Sequence, residues 1–132
     1  TGPAIEWRHF LEYWNIDNWR ACYESLEQGH DTVGVNYTVS PEGNNWPHYS
    51  GNFWWATANH IRQLPDPTDK TWWYKFKEKS DDPWIKQAPV RMYDEFWIGA
   101  RENIKAYNVV DLKLLKPMRD CISELDCKRL MQ

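Results

Sequence analysis

The chain has 132 residues, enough for one domain with a real core. Its net charge is −3, its basic residues are scattered, and no apolar run nears the roughly 20 residues of a membrane span. These totals exclude a nucleic-acid-binding protein with a basic face and a helical membrane span. The three cysteines, Cys22, Cys121 and Cys127, fit neither a disulfide framework nor a zinc site, so a reducing, cytoplasmic setting is expected. Ten tryptophans are the compositional anomaly. Most belong to a core, but an indole beside Gly, Asn, His or Asp has an N–H that seeks a partner.

In chain order, Ala4 to Trp14 reads as a helix with Ile5, Phe10, Tyr13 and Trp14 as its apolar stripe. Asn15-Ile16-Asp17 interrupts it, and Asp17 is a natural N-cap for a second helix. There Trp19, Cys22, Tyr23 and Leu26 share one face, and Gly29 is placed to close it. Asp31 to Tyr37 alternates as a strand does, with Gly34 marking a bulge or a close backbone approach. Residues 38–50 form a loop. Gly51 to Trp55 reads as a short buried strand and Ala56 to Leu64 as a short helix stopped by Pro65. Residues 65–89 read as irregular, with Trp72-Trp73-Tyr74 inside. Val90 to Tyr93 reads as a strand leading into a helix at Asp94 to Ala100, and Tyr107 to Val110 as the last strand. A terminal helix begins near Pro117 and turns Met118, Cys121, Ile122 and Leu125 inward. Helices alternating with strands predict an α/β fold, a mixed sheet flanked by helices. The chain opens at Thr1 without Met and reads as a single domain or as part of a larger one.

Two stretches carry chemistry. His48-Tyr49-Ser50-Gly51-Asn52 runs directly into Phe53-Trp54-Trp55. Rings cover the flat C–H faces of sugars, small polar groups bind hydroxyls, and glycine lets a ligand reach the backbone. The alternative is that these rings are core and His48 caps a loop. Met92-Tyr93-Asp94-Glu95-Phe96-Trp97 sets two adjacent carboxylates among aromatics. Either the acids serve a helix N-terminus, or one of them is a general base toward a hydroxyl. Neighbours on a helix diverge, so only one can face a site, and Glu95 is preferred over Asp94. Trp97 joins the ligand wall in this reading. Asp81-Asp82 precedes Pro83 among charges and reads as a solvated turn, so no metal ligand is assigned in this chain.

These motifs, together with Trp19, Gly29 to Asn36, Ile61-Arg62 and Leu64-Pro65, resemble the second half of glycosyltransferases found in bacterial polysaccharide clusters and in large DNA viruses, chlorella viruses included. The likeness spans residues 7–100, and Ser50 to Trp55 is its most specific part. It implies a GT-A-like fold with the nucleotide-binding half upstream. It also implies transfer from a nucleotide-sugar donor, UDP-linked by expectation, to a glycan acceptor, with a divalent Mn2+ or Mg2+. Such folds hold the metal with an Asp-any-Asp motif, and this chain contains none. The half present here would then form the acceptor side, with Asn52 to Trp55 as its floor and Asp94 or Glu95 near the reacting hydroxyl. The alternatives are a carbohydrate-binding module without catalysis and a Trp-rich protein-interaction domain.

Overall fold

A computed structural model describes residues 2–38, 47–79, 83–87 and 92–110. The predicted terminal helix and Asp81-Asp82 lie outside these residues.

Helix α1 spans Gly2–Glu12 and runs into a π-helical turn, Tyr13–Asp17. Trp7, Phe10, Leu11 and Trp14 recur at helical spacing and form the inward stripe, with Trp7 stacked on Phe10 at 5.6 Å between ring centroids. Ile5, expected on that stripe, lies on the outer face. The widened turn is where the helical pattern breaks, and it opens the backbone for tertiary bonding. The Asn15 amide donates to the Leu11 carbonyl at 2.9 Å. Helix α2 spans Trp19–Glu27. Asn18, not Asp17, begins it, and without a side-chain cap bond. Its buried face carries Cys22 and Ser25, while Trp19 and Tyr23 are 45% and 49% exposed and pair with each other. The expected apolar face is thus rotated. On the buried face the thiol of Cys22 points back to the Trp14 carbonyl at 3.4 Å.

The predicted strand over 31–37 is divided. β1 is Thr32–Gly34 and β2 is Tyr37–Thr38, because Asn36 between them takes φ 58 and turns the chain. β2 pairs antiparallel with β3, His48–Tyr49. β4 is Trp54–Ala56, later than expected because Gly51 and Asn52 form a turn. β4 lies antiparallel to β1, Val33 opposite Trp55 and Gly34 opposite Trp54. β5, Ala106–Asn108, lies parallel on the other side of β1. The three-stranded sheet has the order β4-β1-β5. The fold is mixed α/β, a small mixed sheet with helices.

After β4 the Thr57 hydroxyl caps α3, Ala58–Arg62, by accepting from the His60 amide at 3.1 Å. The stretch expected to be irregular contains two helices, α4, Thr71–Lys79, and α5, Pro83–Gln87. Asp69 accepts from the Thr71 amide at 2.9 Å and from its hydroxyl, which starts α4. Burial of Trp73 then supplies what local propensity does not. At Met92 and Tyr93 the chain is helical, not extended: α6 is Met92–Phe96, followed by a 3-10 turn, Trp97–Gly99. Residues 90–91 of that predicted strand are outside the described ones.

Two aromatic clusters hold the fold. Phe10, Leu11, Tyr13, Trp14 and Val35 form one. Trp73, Tyr93 and Phe96 form the other, with Trp72, Phe76 and Trp97 packed on it. The Trp72-Trp73-Tyr74 run is therefore mainly internal, and only Tyr74 stands out, at 57% exposure.

Candidate functional site

The turn Tyr49–Asn52 is the meeting point. Asn52 donates its amide to the Tyr49 carbonyl at 3.0 Å, and both Gly51 and Asn52 have positive φ, 85 and 57. Gly51 is required twice over. An L side chain rarely adopts that φ, and a Cβ would lie 2.6 Å from Leu11 Cδ1 and 3.0 Å from Trp7 Nε1. The atoms that fill the space beside Gly51 belong to α1, so what comes close to this backbone is the protein's own helix. Asn36 steadies the turn from β2's side: its amide donates to Ser50 Oγ at 2.9 Å, and its carbonyl accepts from the Ser50 amide at 3.3 Å.

The Gly51 amide donates to Glu95 Oε1 at 3.2 Å. Glu95 is half-buried and Asp94 is exposed, so Glu95 is the acid that turns to the stretch, as divergence of helix neighbours requires. Its second oxygen has no hydrogen-bond partner among the described residues. Trp54 donates its indole N–H to Asn52 Oδ1 at 2.8 Å, which holds a half-exposed ring beside the turn. Glu95, Gly51, Asn52 and Trp54 thus gather at one place, with Trp7 on the flank.

The other residues of the expected wall go elsewhere. Trp55 follows Trp54 on a strand, so the two rings leave opposite faces of the sheet. Its N–H reaches the Asn15 carbonyl at 2.8 Å, locking β4 to the π-helical turn. Tyr49 is fully buried. Its hydroxyl shares a hydrogen bond with Thr32 at 2.8 Å, and burial pushes its pKa well above the tyrosine range. It carries the turn from behind. Gly34 exists for this ring: a Cβ there would meet Tyr49 Cδ1 and the Phe53 carbonyl, each at 2.8 Å. Phe53 packs on the α1 cluster, and the His48 ring lies 4.7 Å from that of Phe96. Trp97 spends its N–H on the Pro65 carbonyl at 2.8 Å, fastening the approach to α4.

A second polar centre was not foreseen. His60 is fully buried on α3. Its Nε2 lies 2.8 Å from the Ile98 carbonyl, and Arg101 Nε donates to its Nδ1 at 2.8 Å. Arg101 also donates to Gln63 at 2.7 Å and to Asp31 at 2.9 Å. Arg101 lies 38, 41 and 70 residues from Gln63, His60 and Asp31 in sequence, so no local spacing marks the group.

Among the described residues no three His, Cys, Asp or Glu side chains come together to hold a metal ion. The carboxylate chemistry on hand is a single acid, so no step is derived through a metal. No described helix is long and apolar enough to cross a membrane. Comparison with protein-family models, curated proteins and solved structures gives no match for this chain.

Proposed function

We propose that this chain forms the acceptor side of a nucleotide-sugar-dependent glycosyltransferase with a GT-A-like arrangement. The observation that carries the reading is the Glu95 carboxylate, held by the Gly51 amide with its second oxygen unpartnered among the described residues, at the turn whose next residue, Asn52, holds the ring of Trp54. A sugar face laid on Trp54 brings its hydroxyl edge to Asn52 and Glu95. Glu95 then accepts the proton of the attacking hydroxyl as the new glycosidic bond forms and the nucleoside diphosphate leaves. The diphosphate needs a counter-charge, and the resemblance assigns that to a divalent metal, for which no ligand group is found among the described residues. The amide bond to Oε1 fixes the orientation of the carboxylate, and orientation is much of what a general base contributes.

The test has two arms. Glycan acceptors are titrated against the tryptophan fluorescence of this chain, and UDP-sugar turnover is followed, with Mn2+ and acceptor present, in a protein that joins this chain to a nucleotide-binding half. Acceptor binding by both wild type and Glu95→Gln is expected, with turnover lowered about 10²- to 10⁴-fold in the variant. Binding without turnover by the wild type over a range of donors would move the reading to a carbohydrate-binding module. No binding of any glycan would remove both.

A further inference from the structure

The pair of buried His60 and half-buried Arg101 does nothing for the reading above, yet it is more elaborately built than a packing contact. Arg101 spans three partners on two segments: His60 Nδ1 on α3 and Gln63 Oε1 at its C-terminal end, and Asp31 Oδ2 before β1. Asp31 Oδ2 also accepts from the Lys105 amide at 2.9 Å, and the Asp31 amide donates to the Lys105 carbonyl at 2.7 Å. Segment 99–105 is thereby anchored to Asp31 at Lys105, and one guanidinium ties it to α3 and again to Asp31. That segment also forms a wall of a cleft of about 600 Å³, lined by Arg101, Asn103, Ile104, Tyr37 and Pro47 among others.

The partners define the state of the imidazole. Nδ1 receives the N–H of Arg101 and must carry a lone pair. Nε2 faces a carbonyl and must carry the hydrogen. The ring is neutral in this arrangement. A second proton has one place to go, Nδ1, where it would meet the Arg101 N–H head on and set two cations 2.8 Å apart in a buried site. The charged groups facing the ring are Arg101 from segment 101–105 and Asp31 behind it. On its own helix Arg62 is exposed, and the 3-10 turn presents only the Ile98 carbonyl.

We propose that His60 and Arg101 form an acid-operated latch: protonation of His60 expels Arg101, breaks the Arg101 bonds to Asp31 and Gln63, and loosens the wall of the cleft up to Lys105, which stays anchored on Asp31. This inference is independent of the glycosyltransferase reading. Burial, and then the nearby Arg101 charge, lower the His60 pKa from its ordinary 6.5, against the pull of the Ile98 carbonyl. The closed state therefore binds fewer protons than the open one. Opening is favoured as pH falls through about 6.5 toward the lowered value, and the latch is fully closed above that window.

The experiment is amide hydrogen exchange of residues 99–105, corrected for intrinsic rates, from about pH 8 to about pH 5, with ¹⁵N ring shifts of His60 recorded alongside. The expected result is the Nε2–H tautomer at neutral pH and local opening that rises about tenfold per pH unit below about 6.5. In His60→Gln that dependence is expected to vanish. A His60 ring that is charged or Nδ1-protonated at neutral pH overturns the proposal, as does exchange that stays flat while the ring titrates. The same acid dependence in His60→Gln would assign the opening to Asp31 and overturn it too. If His60→Gln fails to fold, the wild-type ring and exchange titrations decide by whether their midpoints coincide.

Discussion

Replacing Gly51 by alanine tests the turn on which the candidate site rests. The cost has two parts. A φ of +85 places an L side chain in the left-handed region, for about 1–2 kcal/mol. The new Cβ also lies 2.6 Å from Leu11 Cδ1 and 3.0 Å from Trp7 Nε1, contacts that must open. Overpacking of this kind costs about 1–3 kcal/mol, and here the low end applies because the nearest atoms are side-chain ends. The sum is about 2–4 kcal/mol. Gly29→Ala is the reference. Its φ is +102, but a Cβ there meets nothing within 4 Å, so only the backbone part of about 1–2 kcal/mol is expected. Urea unfolding of wild type and both variants, read by tryptophan fluorescence, gives the two losses at a common m-value. The excess for Gly51→Ala, about 1–2 kcal/mol, is the packing of α1 against the turn. Equal losses within about 0.5 kcal/mol would refute the claim that Trp7 and Leu11 close on this backbone.

Other outcomes follow from single contacts. Glu95→Gln keeps an acceptor for the Gly51 amide, so its urea midpoint should stay within about 0.5 kcal/mol of wild type while turnover collapses. A large loss of stability would instead make Glu95 a structural residue. Thr57→Ala removes the α3 cap and should cost about 1 kcal/mol in the same assay. Burial pushes the Cys22 thiol up to about 11. Native protein at about pH 8 should therefore resist alkylation at Cys22 by peptide mass mapping, with labelling appearing only on unfolding. Because the folded-state pKa of His60 is lowered, global stability should also fall as pH drops through about 6.5, and His60→Gln should flatten that slope.

Local chemistry was legible wherever the causes are local. Helices at 2–12 and 19–27, the stop at Gly29, the extended run at 32–34 and the short helix after Thr57 follow from periodicity, glycine and capping within a few residues, and the strand read over 107–110 lies at 106–108. The placing of small polar groups and rings in Ser50 to Trp54, and of an acid at Glu95, could likewise be read from residue type. What the amino-acid order could not decide is which way each side chain turns once segments meet. Trp54 and Trp55 look alike in sequence, and their opposite fates come from strand alternation plus the Asn15 carbonyl waiting on one side. Trp19 and Tyr23 carry an inward-looking spacing, yet the helix buries Cys22 and Ser25 instead and leaves both rings outside. α4 was unreadable because its helicity is driven by burial of Trp73 against Tyr93 and Phe96, about 20 residues away. The latch was invisible for the same reason: Asp31, His60 and Arg101 are ordinary surface-type residues until folding brings them together, and only then does desolvation make their hydrogen bonds decisive.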